Sequence, residues 1–329
     1  MNNYYLKKFL SILKYSIIFY FLFIFAKYVN RDIHIDALYM DDLFSWSYFG
    51  EGETFLEYSF PTSGHTYRPV YWMIQYLEFF FVKDNINLFL YINLLLNSFI
   101  SLIIYHIVYK ISKSNISGII SSLLYISSYF SYYQIAQVIG TLESIALLFA
   151  ILVLYNLILF IKKEEKYINN FLISNFFFLL VIFTHERYIG LIIPIILAFL
   201  LKIYLIKIKK KEYLSLILPI FSIILFVYIR TIILGNFIPR GTGSKEVTTT
   251  FDLMNCLHFA IDQVKYIFAF NPGEAYLSAI NFNDLNYDIK VLIYKSLIPI
   301  LISIILYIIL KTFFIIKNNN KNIFKYILK

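Results

Sequence analysis

The sequence predicts an all-helical membrane protein that crosses the bilayer several times. Hydrophobic residues make up 60% of the 329 residues, and charged residues make up only 15%. An average soluble domain is about half apolar and about a quarter charged, so this chain has more apolar side chains than one water-soluble core can bury. The apolar residues are also grouped into runs long enough to span the hydrocarbon layer, which takes about 20 residues of helix.

Eight apolar segments are candidate transmembrane helices. They lie near residues 10–27, 87–109, 116–133, 142–161, 170–184, 188–206, 213–234 and 291–316. The first follows Lys7 and Lys8 and lacks a small-residue cleavage site, so we interpret it as a membrane anchor. We expect a single membrane-embedded domain over 1–329, with its core at about 10–234, an external loop at 235–290, a last transmembrane helix at 291–316 and a basic cytoplasmic tail at 317–329.

The basic residues predict which side of the membrane each segment faces. With the N-terminus in the cytoplasm, 18 of the 29 Lys and Arg residues fall in short cytoplasmic segments, and 17 of the 20 acidic residues fall outside. This distribution follows the positive-inside rule at every crossing. It predicts a multi-pass plasma-membrane protein with both termini in the cytoplasm, and it explains the net charge of +9 without a nucleic-acid partner.

Two long external loops are each expected to carry a helix that lies in the membrane interface. The loops span residues of about 28–86 and 235–290. In the first, Pro69 begins an apolar stretch ending at Val82 that is too short to span the bilayer and too apolar for water. In the second, Thr249 and Asp252 have capping-box spacing, and apolar residues then recur every three or four positions as far as Phe268.

Polar and ionisable residues are concentrated in the first loop and at the external ends of the spans. This external set comprises His34, Asp36, Asp41, Asp42, His65, Arg68, Asn93, Asn97, Gln134, Gln137, Glu143, His185, Glu186, Arg187 and Arg230. Ionisable side chains beside hydrocarbon are costly and usually mark a function or an ion pair. The candidate site is therefore expected on the external side of the membrane.

The adjacent carboxylates Asp41 and Asp42 are the candidate general base. Two neighbouring negative charges disfavour ionisation of one of them, which suits a group that accepts a proton. The alternative is a solvated acidic turn or the start of a helix, because short motifs often arise by chance. The flanking residues, among them Met40 and Leu43, are apolar and indicate a segment that lies against the membrane.

Arg68 and Arg187 are the candidate phosphate ligands, because the planar guanidinium group can grip two phosphate oxygens at once. Arg68 directly precedes the first interfacial helix, and Arg187 follows His185 and Glu186 in the short turn between two spans. For Arg187, the alternatives are a salt bridge with Glu186 or Glu143, or a side chain that extends from a helix end to the interface.

A divalent metal ion held by oxygen and nitrogen ligands is a further alternative. The candidate ligands are His34, Asp36, Asp41, Asp42 and His65, although their spacing matches no metal-binding motif. The sequence contains no Gly-rich phosphate loop, no nucleophile elbow and no HExxH motif.

The order of these features resembles the GT-C superfamily of membrane glycosyltransferases, in the branch of the protein O-mannosyltransferases and their bacterial relatives. The resemblance covers roughly residues 10–200 and rests on order and spacing. Its elements are an anchor span, the external Asp41-Asp42 pair, Tyr67-Arg68-Pro69, a span with Asn93 and Asn97 at its outer end, the stretch Gln134–Glu143, and His185-Glu186-Arg187-Tyr188-Ile189-Gly190 with Pro194. The chain departs from the family at Ser131-Tyr132, where members often have His-Pro, and at His185-Glu186, where relatives have Lys-Glu.

The resemblance implies a GT-C-like bundle of about eight transmembrane helices that transfers a sugar from a polyprenyl-phosphate donor to an acceptor hydroxyl. The acceptor would be a protein, a glycan or a lipid. In the family, an Asp of the first loop is the general base and the anomeric carbon is inverted; motif position favours Asp41, with Asp42 next. Arg68 and Arg187 would hold the donor phosphate. The supporting residues would be His65, Tyr67, Glu143, His185 and Glu186, with the two Glu residues orienting the site or a metal.

Three other classes of protein remain open from the sequence. A transporter or lipid flippase would carry polar residues at mid-membrane, and His106 is the clearest such candidate. A surface-polysaccharide polymerase or ligase would also act outside, but such enzymes usually have more spans and a longer late external loop. A non-catalytic membrane scaffold would leave the external Asp, Arg and Glu residues uncoupled and replaceable.

Overall fold

The computed structural model describes residues 3–234, except 36, 39–40, 51–53, 62–65, 84, 163–166 and 206–209, together with Met254. The chain divides into two compact units, Met1–Val247 and Thr248–Lys329, and all described residues but Met254 belong to the first. These described residues form helices and loops, with no strand among them. The α-helices are α1 (Asn3–Val29), α2 (Asp41–Gly50), α3 (Phe55–Ser59), α4 (Pro69–Val82), α5 (Asn87–Ser112), α6 (Asn115–Ile126), α7 (Tyr129–Ile135), α8 (Gly140–Lys162), α9 (Tyr167–Thr184), α10 (Ile192–Leu205) and α11 (Ile217–Leu234). Two 3-10 helices, Glu186–Leu191 and Lys210–Leu216, lead into α10 and α11.

Six helices among the described residues are long and apolar enough to cross a membrane, so the chain is a membrane-embedded helical protein. They run over Lys8–Val29, Asn87–Ser112, Gly140–Lys162, Tyr167–Thr184, Glu186–Tyr204 and Glu212–Ile233. Each coincides with a span expected from the sequence. The expected last span at 291–316, and the expected interfacial helix at 249–268 apart from Met254, lie outside the described residues.

The span expected at 116–133 is not one continuous helix. This segment forms the shorter helices α6 and α7, separated at Ser127 and Ser128. The 12 residues of α6 extend ~18 Å, well short of the ~30 Å of hydrocarbon. The break has a local cause, because the Ser128 hydroxyl donates to the Tyr125 carbonyl (2.6 Å) and accepts the N–H of Ser131 (3.2 Å), which ends one helix and caps the next.

The two short helices nevertheless run antiparallel to α5 along most of its length. Hydrogen bonds mark this pairing at Tyr105–Asn115, Ser101–Ser122, Asn97–Tyr125 and Asn93–Gln137. The chain therefore returns from the end of α5 to the side on which α5 begins. As a result, α8 starts beside the start of α5, as a continuous span would also have arranged.

The two ends of the described bundle differ in chemistry. At one end, here called the polar end, α5 and α8 begin and α9 and α11 finish; its residues include Asn93, Thr141, Glu143, His185 and Arg230. The opposite end, here called the basic end, carries Lys14, Lys110, Lys113, Lys162 and Lys202. There, Lys14 Nζ donates to Asn115 (2.7 Å) and Lys202 Nζ donates to the Ile161 carbonyl (3.0 Å). These Lys residues thus lie at the end of the bundle opposite to Glu143, His185 and Arg230.

Packed aromatic side chains hold α8, α9, α10 and α11 together. The ring centroids of Phe160 and Phe171 lie 4.9 Å apart, and those of Phe171 and Phe199 lie 5.1 Å apart. In a bilayer such packing, rather than exclusion from water, favours helix association. Near the polar end, Phe183 of α9 contacts Phe226 of α11 at 5.3 Å. This packing brings the end of α9 and the end of α11 to the same region as the start of α8.

The first loop covers the polar end with the helices α2, α3 and α4. As predicted, α4 begins at Pro69. Its buried face carries Tyr71, Gln75, Glu78, Phe79 and Val82. The Phe79 ring packs against Trp46 of α2 (5.2 Å) and Phe89 of α5 (5.7 Å), which fixes the loop on the bundle. This docking determines where the residue before α4, Arg68, can point.

Candidate functional site

Arg68 and Glu186 form a bidentate ion pair at the polar end. Arg68 Nε lies 2.9 Å from Glu186 Oε2, and Arg68 Nη2 lies 2.8 Å from Glu186 Oε1. The two side chains are only 12% and 20% exposed. Burial lowers the pKa of Arg68, but the Glu186 carboxylate more than offsets this effect, so the pKa of Arg68 is raised overall. The Arg68 guanidinium is therefore charged, and a carboxylate already occupies its fork.

The neighbouring residue Tyr67 supports this pair by packing. Its ring is buried and makes edge-to-face contacts with Trp72 of α4 (6.2 Å) and Phe183 of α9 (6.3 Å). Pro69 then starts α4 at the position where its missing N–H is tolerated. Together these contacts hold Arg68 between the first loop and the end of α9.

His185 lies between the carboxylates of Glu143 and Glu186. Its side chain is 1% exposed, with Nε2 3.3 Å from Glu143 Oε1 and Nδ1 3.7 Å from Glu186 Oε2. The backbone N–H of Arg187 donates to Nδ1 (3.4 Å). The Nε2 side of the ring therefore faces Glu143, and the Nδ1 side faces Glu186. His185 thus links the two carboxylates.

Arg187 pairs with Glu143 through a single contact. Its Nη1 lies 3.3 Å from Glu143 Oε1, and 64% of the Arg187 side chain is exposed. The salt bridge considered from the sequence is therefore present, although an exposed pair of this kind contributes little to stability. We call Arg68, Glu143, His185, Glu186 and Arg187 the ion-pair cluster. Its two Arg and two Glu charges balance when His185 is neutral.

Asp42 binds the start of α8. Its Oδ1 accepts the backbone N–H of Ile139 (2.8 Å), and the residue is 8% exposed. The N–H donor and the positive end of the α8 dipole both stabilise an ionised carboxylate. Asp42 was expected near the membrane; its attachment to a residue 97 positions away was not. The Asp41 side chain, as well as Asp36 and His65, lies outside the described residues, whereas His34 is exposed.

The first residues of α8 join Asp42 to the ion-pair cluster. The Ile139 N–H contacts Asp42, and the Thr141 hydroxyl contacts Glu78. The Glu143 carboxylate contacts His185 and Arg187. Four helical residues advance the chain by only ~6 Å. Asp42 and Arg187 therefore contact the two ends of one short segment, Ile139 and Glu143.

Tyr71 provides a second link between the two sides of the site. Its buried hydroxyl lies within electrostatic reach of Asp42, Glu78 and Arg68. Burial and the carboxyls of Glu78 and Asp42 raise the pKa of Tyr71 well above its usual value, and Arg68 opposes them. The charges on both sides of the site, the carboxyls of Glu78 and Asp42 and the guanidinium of Arg68, therefore act on the Tyr71 hydroxyl. Tyr71 was not expected at the site from the sequence.

Glu78 is a second buried carboxyl that sequence reasoning missed. It is 7% exposed, and its Oε1 lies 3.1 Å from Thr141 Oγ1, which also lies 2.9 Å from Asn93 Oδ1. Burial raises the pKa of Glu78 to about 8, with Asp42 adding to the shift and the Thr141 hydroxyl opposing it. The signal in the sequence was an acidic residue inside the otherwise apolar stretch before Val82.

The raised pKa of Glu78 predicts a pH-dependent effect of Glu78→Gln on stability. Between the unfolded pKa of 4.5 and the folded pKa of about 8, only the folded state holds the proton. The free energy of unfolding therefore falls as pH rises through this window, by at most ~1.4 kcal/mol per unit. Glu78→Gln removes this loss, so its melting temperature in detergent should exceed that of the wild type by a margin that widens with pH.

Glu57 provides a control of opposite sign for this measurement. Its exposed carboxylate accepts bonds from the Thr54 backbone and hydroxyl (2.9 and 2.8 Å), which lower the pKa of Glu57. Its stabilising contribution is present above the unfolded pKa and lost as pH falls, so Glu57→Gln should not raise the melting temperature. If the melting temperatures of Glu78→Gln and the wild type differed by the same amount at every pH between 4.5 and 8, a buried neutral Glu78 would be contradicted.

An apolar cavity of about 610 Å³ adjoins the site. It lies between α1, α4, α5 and α8, and the two polar side chains in its lining are Glu78 and Thr141. Other lining residues, Leu77, Phe81 and Phe99, are among the exposed large hydrophobic side chains. The cavity therefore extends from the apolar outer surface of the helices to Glu78 and Thr141 at the site.

The part of the chain that the structure describes contains no cluster of candidate metal ligands. Within that part, no group of three or more His, Cys, Asp or Glu side chains is arranged to hold a metal ion. Near His185, two Arg side chains already neutralise the two Glu carboxylates.

The chain matches no protein-family model, no curated protein and no solved structure. A functional conclusion consequently depends on the geometry of the polar end and on the motifs that resemble the GT-C enzymes.

Proposed function

We propose that the protein is a GT-C-type glycosyltransferase that moves a sugar from a polyprenyl-phosphate donor to an acceptor hydroxyl. The observation that carries the proposal is the joining of Asp42 to the ion-pair cluster through Ile139 and Glu143 at the start of α8. A scaffold would not need a carboxylate and a guanidinium group held at the two ends of one short segment. The acceptor is a protein, a glycan or a lipid.

The proposed setting is the outer face of the plasma membrane, with both termini in the cytoplasm. The Lys residues of the basic end favour the cytoplasmic side by the positive-inside rule, which leaves the polar end outside. The six long helices, the α6–α7 pair as a broken crossing and the expected span at 291–316 would together make about eight crossings.

The proposed reaction is a single inverting displacement. A carboxylate of Asp41–Asp42 accepts the proton of the acceptor hydroxyl, and that oxygen forms a bond to the anomeric carbon from the face opposite the leaving group. The bond between the anomeric carbon and the phosphate oxygen breaks, and its electron pair leaves with the polyprenyl phosphate. Fixed guanidinium groups, with Arg68 and Arg187 as the candidates, stabilise the negative charge that develops there.

The apolar cavity supports a lipid-linked donor. Its aliphatic and aromatic lining between α4, α5 and α8 suits an isoprenoid chain, and its polar residues Glu78 and Thr141 adjoin the segment that holds Asp42. A water-soluble nucleotide-sugar donor would gain nothing from such a lining. We propose that His65, Tyr67, Glu143, His185 and Glu186 support the site, Tyr67 by packing and the two Glu residues by holding His185 and the Arg side chains.

A donor-class assay tests the proposal. The full chain, reconstituted in vesicles, is given radiolabelled hexoses linked to short isoprenyl phosphates and, separately, the same hexoses linked to nucleotides. Envelope fractions of protein, glycan and lipid serve as acceptors. We expect label in one fraction from lipid-linked donors only, with the anomeric configuration inverted. Label no higher than with empty vesicles, or equal label from nucleotide sugars, would refute the proposal.

The same assay separates the enzyme from the transporter and polymerase alternatives. A transporter or flippase would move labelled donor into the vesicle lumen without forming a new glycosidic bond. A polymerase would give products that lengthen by repeated additions, whereas the proposed enzyme adds one sugar per acceptor site.

A further inference from the structure

Arg230 is a buried arginine at the polar end that the ion-pair cluster does not use. It lies in the last part of α11 and is only 5% exposed. The residue lies within electrostatic reach of Glu186 and Arg68. Among the residues that the structure describes, it has no hydrogen-bonding or ion-pair partner, although the ion pairs of its neighbours are well formed.

The charges around Arg230 leave it uncompensated. The two carboxylate oxygens of Glu186 accept hydrogen bonds from Nε and Nη2 of Arg68, and Glu143 contacts both His185 and Arg187. The two Glu charges of the cluster are therefore matched by its two Arg charges, and Arg230 adds one positive charge beyond them. A buried guanidinium has five N–H donors to satisfy and is costly to leave unpaired. An anionic ligand would supply the partner that Arg230 lacks among the described residues.

We propose that the guanidinium of Arg230 binds the phosphate group of the lipid-linked substrate, while Arg68 is a positioning residue held by Glu186. This assignment rests on the proposed function, because it identifies the side chain that receives the donor phosphate. A phosphate offers oxygens that match the planar fork of an arginine. Glu186 already takes two of the five N–H donors of Arg68 and neutralises its charge, whereas Arg230 has no hydrogen-bond acceptor among the described residues.

Arg230 suits this role better than Arg187 does. The Arg187 side chain is 64% exposed and already shares Glu143. An anion bound there would compete with water and with that carboxylate. A phosphate beside Arg230 would sit in a site of low exposure, where water screens the attraction less. Neutralisation of the buried charge by the ligand would also offset the cost of burying Arg230.

Binding of farnesyl phosphate to the detergent-solubilised full chain tests the assignment. We expect Arg230→Gln to weaken binding about 10- to 100-fold, the loss typical of one charge-assisted hydrogen-bonding group. Without ligand, the same variant should melt at a higher temperature than the wild type, since an unpaired buried charge has been removed. Arg31→Gln is the matched control, because Arg31 is 64% exposed and forms an ion pair with exposed Asp32.

Three probes distinguish a lipid headgroup from free phosphate. Farnesol lacks the phosphate and should bind equally to the wild type and Arg230→Gln, whereas inorganic phosphate should bind the wild type more weakly than farnesyl phosphate does. Inorganic phosphate that binds as tightly as farnesyl phosphate would overturn the lipid assignment. Unchanged farnesyl phosphate affinity in Arg230→Gln would overturn the role of Arg230.

A second variant keeps the test decisive if Arg230→Gln does not fold. Arg230→Lys retains the charge but lacks the planar fork, so we expect a loss in affinity of about 3-fold or more. Wild-type affinity in Arg230→Lys would then overturn the proposal. Because the measurement needs no sugar transfer, Arg230-dependent binding without transfer would leave this inference standing and count against the proposed function instead.

Discussion

Sugar transfer is expected to fall about 10²- to 10⁴-fold when the general base is replaced by an amide, the usual contribution of such a group. The variants to compare are Asp41→Asn and Asp42→Asn, in the transfer assay with lipid-linked donor. The Asn oxygen can still accept the Ile139 N–H that Asp42 accepts at 2.8 Å, so the start of α8 should keep its anchor. A loss of transfer at an unchanged melting temperature would therefore report lost base chemistry.

Asp32→Asn is the control for this pair of variants. Asp32 lies in the same loop, but its side chain is 92% exposed and forms an ion pair with exposed Arg31. We expect this variant to transfer sugar at the wild-type rate. Full transfer by both Asp41→Asn and Asp42→Asn would remove the carboxylate pair from the mechanism and leave Asp42 as a structural cap of α8.

Gly140→Ala is expected to destabilise the protein by more than about 3 kcal/mol, beyond the usual cost of overpacking. A Cβ at this position would lie 1.9 Å from the carbonyl oxygen of Gln134 and 2.7 Å from its carbonyl carbon. These are backbone atoms, so no rotation of a side chain can relieve the clash. The segment between α7 and α8 must shift, which would displace Ile139 and Thr141, the residues that hold Asp42 and Glu78.

Gly190→Ala is the matched control for this substitution. Gly190 also lies at the polar end, in the 3-10 helix before α10, but a Cβ there would meet no atom within 4 Å. We expect Gly190→Ala to melt close to the wild type, and Gly140→Ala to melt lower and to lose transfer activity. Equal melting temperatures for the two variants would show that the α7–α8 junction does not need close backbone approach.

Six of the eight expected spans could be predicted from the sequence because they depend on local composition. Runs of apolar residues of sufficient length became helices, and α4 began at Pro69 because proline suits the first helical position. The break at Ser127 and Ser128 was missed because hydropathy does not register hydroxyl groups that compete for the backbone.

The pairings within the site could not be predicted because they join distant parts of the chain. Arg68 meets Glu186 across 118 positions, and only the packing of α4 on α9 brings them together. Sequence motifs also could not show that this carboxylate would pair with Arg68, nor that Arg230 would be buried with no partner among the described residues. Glu78 was hidden in an apolar run, where its burial and not its neighbours in sequence gives it an unusual pKa.

An experimental structure of the full chain in lipid with a bound polyprenyl phosphate would locate the donor site. We expect the phosphate at the polar end, within hydrogen-bonding distance of an arginine and beside the start of α8, with the isoprenoid chain in the cavity that Glu78 and Thr141 line. A phosphate bound at the basic end among Lys14, Lys162 and Lys202, or a lipid that leaves the polar end empty, would contradict this expectation.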